Sequence, residues 1–193
     1  MLIDAVAIIA RQRPDARVLV VGGEPAQVER ARALAAAAGA APVMIFTGQQ
    51  PAREIPGFVQ AADLLVSPRI RGTNTPLKIY SYLRSGRPIV ATNLLTHTQV
   101  LTPEIAKLVD PSPEPFASAV IELLESPDER ARLSAAARVV AQEKYSRESY
   151  LRRTAQAYER LRPGYVPSDG TRGDGKRGDG KRGDEPLGSS TVL

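Results

Sequence analysis

Residues 63–92 hold one complete strand–helix–strand unit, and no other stretch restricts the fold so tightly. The run Asp63-Leu64-Leu65-Val66-Ser67 is apolar between polar ends, the pattern of a short buried strand. A loop of arginine, glycine, threonine and asparagine follows. Pro76 then stands where the first turn of a helix tolerates a residue without an N–H. Leu77, Ile79, Tyr80 and Leu83 supply apolar side chains at helical spacing, and Gly86 fits the helix stop. Pro88-Ile89-Val90-Ala91-Thr92 starts a second strand. Two strands joined through one helix make a βαβ unit. The loop leaves backbone N–H groups unpaired at a helix N-terminus, an arrangement that suits a phosphate.

The same alternation runs through the rest of the chain. Residues 2–11 read as a helix, 17–21 as a β-branched strand, 25–38 as an Ala-rich helix and 43–47 as a strand. A short helix is expected over 55–62, a last strand over 106–109, and helices over 114–125 and 127–143. Ser146 is placed to cap a final helix to Leu161, with Tyr150, Leu151, Tyr158 and Leu161 roughly on one face. Strands alternating with helices predict an α/β fold, a doubly wound parallel sheet with helices on both faces.

Residues 1–162 make one domain, and 163–193 are expected to be a disordered tail. The tail repeats Arg-Gly-Asp with a period of five and has almost no apolar side chains to offset the entropy of ordering. The triplet is the one associated with integrin ligands, but low-complexity sequence of this kind points to a solvated tail. Without cysteine, neither disulfides nor thiolate metal sites can form, which suits a cytoplasmic protein. The net charge of +5 raises a nucleic-acid reading, yet aromatic residues are only 5% of the chain. Basic residues are scattered, so no nucleic acid is expected as a partner. They suit a solvated surface that faces a phosphate-bearing ligand or an anionic membrane.

Candidate binding residues lie at strand ends. Gly22 and Gly23 follow the 17–21 strand and either admit a close ligand or serve only the turn; the further spaced glycine of a dinucleotide fingerprint is replaced by Glu24-Pro25. Gly72, Thr73, Thr75, Pro76 and Leu77 form the phosphate candidate, with Arg69, Arg71 and Lys78 able to add charge-assisted contacts. Lys78 opens a helix, where its charge opposes the macrodipole, and a bound anion would relieve that. His97, the only histidine, follows a strand end, where a neutral imidazole could bond a phosphate or a sugar hydroxyl. No carboxylate pair, metal cluster or Ser-His-Asp order stands out. A receiver domain would need an acidic cluster, and a dehydrogenase the full glycine fingerprint.

Ser85-Gly86-Arg87-Pro88-Ile89-Val90-Ala91-Thr92 resembles the donor-site motif of retaining glycosyltransferases of the two-domain GT-B fold, in the large family 4 of that class. Pro76-Leu77-Lys78-Ile79-Tyr80 is similar to the form of that motif in which Pro-x-Lys precedes an aromatic-rich helix. Further similar pieces are residues 2–10, 17–23, 43–48 and the helix after Tyr145-Ser146.

The resemblance implies the nucleotide-sugar-binding half of such an enzyme, with a nucleoside diphosphate sugar as substrate and no cofactor. It implies that backbone N–H groups near Thr75, Pro76 and Leu77 meet the donor, and that the turn at Gly48 meets the base, although a plain turn serves there equally. Thr73 and Ser81 fall where the family carries two glutamates, the second a ribose contact. A serine hydroxyl offers a single bond in place of a bidentate carboxylate. In the family the domain opens with a strand and a basic loop, whereas this chain begins inside the first helix. A domain truncated at its N-terminus, with its first strand missing from the middle of the sheet, is therefore expected. The acceptor-binding domain would come from another chain. The competing expectation is a non-catalytic remnant or split-gene module that binds a partner chain.

Overall fold

The computed structural model describes residues 1–161. The chain runs through α1 (Leu2–Gln12), β1 (Val18–Val21), α2 (Pro25–Ala37), a 3-10 turn (Ala41–Val43), β2 (Met44–Gly48), α3 (Ile55–Ala61) and β3 (Leu65–Ser67). It continues through α4 (Lys78–Ser85), β4 (Ile89–Thr92), α5 (Leu95–Thr98), β5 (Lys107–Val109), α6 (Pro113–Glu125), α7 (Pro127–Tyr145) and α8 (Arg147–Leu161). This is the expected α/β, Rossmann-like arrangement. The tail expected from Pro163 lies outside the described residues.

Among the described residues the five strands pair in parallel, in two separate ladders, with one isolated antiparallel bridge between Gly22 and Gly48. β1 pairs with β2, Val18 opposite Met44 and Val20 opposite Phe46, with a slip before Val21 meets Gly48. β3 pairs with β4, Leu65 opposite Ile89, and β4 pairs with β5, Ala91 opposite Leu108. Among the described residues no ladder joins β1 to β3.

Side-chain alternation assigns two faces to both ladders. On one face Val66 and Val90 pack with Ala5 and Ile9 of α1 and with Phe116 and Val120 of α6. Val6 and Ala7 of the same helix pack with Val18, Val20, Met44 and Phe46. On the other face Val21 and Leu19 join Leu65, Ile89 and Ala91 in one cluster with Ile79, Tyr82 and Leu83 of α4. α7 covers α4 and contributes Ala137 and Ala141 to this cluster. Fully burying an aliphatic side chain is worth about 1.5–3 kcal/mol, so these clusters carry the stability of the fold.

Gly86 ends α4 in the left-handed conformation, φ 66°. A Cβ there would also lie 1.9 Å from Arg138 Nε of α7, so both the turn and the helix packing favour glycine. Ser146 caps α8 as expected, its Oγ accepting from Ser149 N–H at 3.1 Å.

Two local expectations need correction. Pro76 lies outside α4, because its carbonyl accepts from Ile79 N–H at 3.0 Å and forms a tight turn ahead of the helix. Leu77 is the N-cap and 83% exposed, so it adds nothing to the apolar face of α4. The stretch around His97, to which the sequence alone assigns no helix or strand, forms α5, a single turn too short to show a period.

Candidate functional site at the ends of β3 and β4

Polar residues end both central strands, and each has a task. The chain leaves β3 at Ser67 and crosses residues 68–77 before α4 begins. Arg69 folds beneath this loop, its Nη1 donating to the Asn74 carbonyl at 3.1 Å and to Thr96 Oγ1 at 2.9 Å. Gly72 makes room for it: φ is 128°, and a Cβ would come within 2.9 Å of Arg69 Nη1.

The one-turn helix α5 holds the loop from the other side. Thr96 Oγ1 donates to the Asn74 carbonyl at 2.5 Å, and Gln99 Nε2 donates to the Thr73 carbonyl at 3.1 Å. Thr75 Oγ1 completes the tie by donating to Gln99 Oε1 at 3.0 Å. The loop is thus anchored through its carbonyls. Among the described residues, no backbone carbonyl takes up an N–H of Gly72, Thr73, Asn74 or Thr75. Those donors sit just ahead of a helix N-terminus, where partial positive charge accumulates.

His97 lies fully buried beneath this arrangement. Its Nδ1 is 2.8 Å from the Thr92 carbonyl, which can only accept, so Nδ1 carries the hydrogen. Nε2 is then the acceptor in the neutral ring, and Ser67 Oγ donates to it across 2.8 Å. Burial lowers the pKa of His97, and the charges of Arg69 and Lys78 push it the same way. A neutral histidine therefore ties the end of β3 to the end of β4. Its two ring nitrogens are engaged inside the chain, so its geometry is that of a support under the loop.

Lys78 opens α4 beside Arg69. Burial of the ammonium, with Arg69 close by, lowers its pKa to about 8. Its Nζ stands 5.6 Å from the Tyr82 ring centroid, within cation–π range. Burial raises the Tyr82 phenol well above its ordinary value, so the ring stays neutral. Two cations held together at a helix N-terminus favour an anionic ligand.

The remaining candidates fall into a second group. Gly22, Gly23 and Gly48 meet at the ends of β1 and β2, all with positive φ, and Gly22 N–H donates to the Gly48 carbonyl at 2.9 Å. A Cβ on Gly23 would lie 3.2 Å from Val28 Cγ2, so part of its role is packing against α2. Arg71, Thr73 and Ser81 are exposed, Ser81 one turn beyond Lys78 on α4.

Sequence reasoning passed over Ser67, Thr92, Thr96 and Gln99. The signal for the first two was a polar residue closing an apolar strand, at the end where such sheets bind ligands. Thr96 and Gln99 gave no local signal.

A model of the family described as glycosyl transferases group 1 matches residues 1–126. No curated protein matches the chain by sequence. Among solved structures, HepE of Anabaena in complex with UDP superposes with a TM-score of 0.73 at 20% identity, over 83% of this chain and 44% of its own. Sucrose-phosphate synthase of Thermosynechococcus elongatus gives 0.70 at 23%, over 82% and 42%. The C-terminal domain of a group 1 glycosyl transferase, LpcC of Francisella tularensis, gives 0.66 at 22%, over 75% of this chain and 77% of that domain. The chain thus spans less than half the length of the first two. Its fold is one half of a GT-B enzyme, and the chain belongs to the glycosyl transferases group 1 family.

Proposed function

We propose that this domain binds a nucleoside diphosphate sugar and supplies the donor half of a sugar-transfer reaction. The observation that carries the reading is the Arg69–Lys78 pair beside the anchored 72–77 loop. In the reaction the bond between the anomeric carbon and the diphosphate breaks, and the sugar passes to an acceptor with retention. The loop N–H groups and the two cations would stabilise the departing diphosphate. Gly22, Gly23 and Gly48 would let the donor approach the ends of β1 and β2 closely. HepE has been solved with UDP and with UDP-glucose on a similar fold, which supports a uridine nucleotide as the first donor to try.

The acceptor site and the second domain would come from outside these residues, as would any base they supply. No described helix is long and apolar enough to cross a membrane, and a cytoplasmic location with the basic surface toward an anionic membrane fits the charge.

A second reading, a module that binds a partner chain without turnover, is favoured by Thr73 and Ser81 at the two glutamate positions. Calorimetric titration with UDP-, GDP- and ADP-sugars separates the two. The donor reading predicts saturable binding that Lys78→Ala weakens at least tenfold. A folded chain that binds none of them would leave only the partner-binding reading.

A further inference from the structure

Residues 64–103 span β3, the loop after it, α4, β4 and α5 without an aspartate or a glutamate, yet they carry Arg69, Arg71, Lys78, Arg84 and Arg87. The acidic residues that bound the stretch are engaged elsewhere: Asp63 precedes β3, at the opposite end of the strand, and Glu104 feels Arg132 of α7. Arg84 and Arg87 lie at the far end of α4, where Arg87 donates to the Gln60 carbonyl. Arg69, Arg71 and Lys78 are left at the candidate site. The charges that shift Lys78 and His97 there are cationic, Arg69 on both and Lys78 on the second. Among the described residues neither Arg69 nor Arg71 forms a salt bridge.

The two arginines lie on different sides of the loop. Arg69 is held beneath it by the Asn74 carbonyl and Thr96 Oγ1, whereas Arg71 is exposed and makes no side-chain hydrogen bond among the described residues. The Thr73 carbonyl is taken by Gln99 Nε2 and the Asn74 carbonyl by Thr96 Oγ1, so both point toward α5. A trans peptide directs its N–H opposite to its C=O. The N–H groups of Asn74 and Thr75 therefore point away from α5, to the outer side of the loop. A ligand on those donors lies on the side where Arg71 is free.

We infer that the sugar of the donor is itself anionic: the ligand is a nucleoside diphosphate sugar acid, whose carboxylate is gripped by the Arg71 guanidinium. The inference rests on the donor reading above and deepens it. A diphosphate in diester linkage carries one negative charge on each phosphate, which Arg69 and Lys78 already balance. Arg71 is a third cation, and its planar fork matches a carboxylate. The lack of carboxylates argues the same way. A neutral sugar presents hydroxyl donors that ionised carboxylates accept well, whereas a sugar acid presents an acceptor and would be repelled by them.

The test is calorimetric titration of the purified chain with glucose and glucuronic acid, each linked to UDP, GDP and ADP. With the nucleotide that binds, we expect the acid to bind at least about fivefold more tightly than the neutral sugar, the scale of one charge-assisted hydrogen bond. Arg71→Ala should abolish that preference and Arg71→Glu should reverse it. Arg71→Lys should keep part of it, because the charge stays and the fork is lost. Circular dichroism of each variant checks that replacing this exposed side chain leaves the fold intact. Three results would overturn the inference. Glucose and glucuronic acid donors that bind equally would remove it and leave the donor reading standing. A preference that survives Arg71→Glu would place the carboxylate elsewhere. Binding of none of the six ligands would remove the donor reading together with the inference.

Discussion

The β3–β4–β5 ladder and the β1–β2 ladder are made from similar residues and reach different states. Every residue of β3 and β4 is buried, whereas Val18, Leu19 and Val20 of β1 remain half-exposed and Ile45 of β2 is 48% exposed. Composition does not account for this, since Val-Leu-Val-Val is as apolar as Ile-Val-Ala-Thr. Nor does edge pairing alone, since β1 and β3 each have a neighbour on one side only. β3 and β4 are packed on both faces, Leu65, Ile89 and Ala91 with α4 and Val66 and Val90 with α1 and α6, whereas Val18, Leu19 and Val20 are only partly buried against their clusters. The loop candidates for donor binding stand on the β3–β4–β5 ladder, and the glycine turns stand on the β1–β2 ladder.

The contrast can be broken first by truncating side chains. Leu83→Ala or Ile89→Ala should cost about 2–5 kcal/mol of unfolding free energy in urea titrations, as for other buried aliphatic residues. Leu19→Ala or Val20→Ala should cost clearly less, because those side chains keep part of their exposure in the folded chain. Equal losses would mean that β1 is as well packed as β4.

Ligand binding sharpens the comparison next. Hydrogen bonds to charged groups are worth about 1.5–3 kcal/mol, so Lys78→Ala should weaken nucleotide-sugar binding at least tenfold in calorimetry. Gly48→Ala, on the β1–β2 ladder, should weaken it less. The supporting histidine comes third. Ser67→Ala removes the donor to a buried ring nitrogen, and about 1–3 kcal/mol of stability should go with it. Amides of the 72–77 loop should then exchange faster, while those of β1 should not change.

A pH dependence follows from Lys78. The pKa of Lys78 is about 8 when folded against an ordinary 10.5, so the unfolded chain holds the extra proton between those values. Stability contributed by this group therefore rises from about pH 8 to 10.5 and is lost as pH falls back through about 8. Lys78→Met should flatten that rise. Donor affinity should move the opposite way, declining above about pH 8 as the ammonium loses its charge.

Much of this was legible from sequence where a period or a punctuating residue was at work. The unit over residues 63–92, the Gly86 stop and the Ser146 cap follow from spacing and from backbone constraints on particular residues. Pro76 misled because its fitness for a first helical turn also suits the tight turn just before one. α5 was hidden because four residues cannot display a helical repeat. The place of His97 was hidden for another reason: its partners Ser67 and Thr92 lie 30 and 5 residues away, and only the pairing of β3 with β4 gathers them. The 69–77 loop looked like a phosphate loop from its composition. What holds it in shape, Arg69 with Thr96 and Gln99, is tertiary and left no trace in local pattern.

The most direct single measurement is amide hydrogen exchange across residues 1–161, with and without saturating UDP-glucose. We predict that the nucleotide sugar slows exchange in the 72–78 segment and at the turns of Gly22 and Gly48, with β4 protected throughout and Val18–Val20 still exchanging. A saturated complex in which 72–78 exchanges as fast as in the free chain would place the ligand elsewhere and contradict the donor site described here.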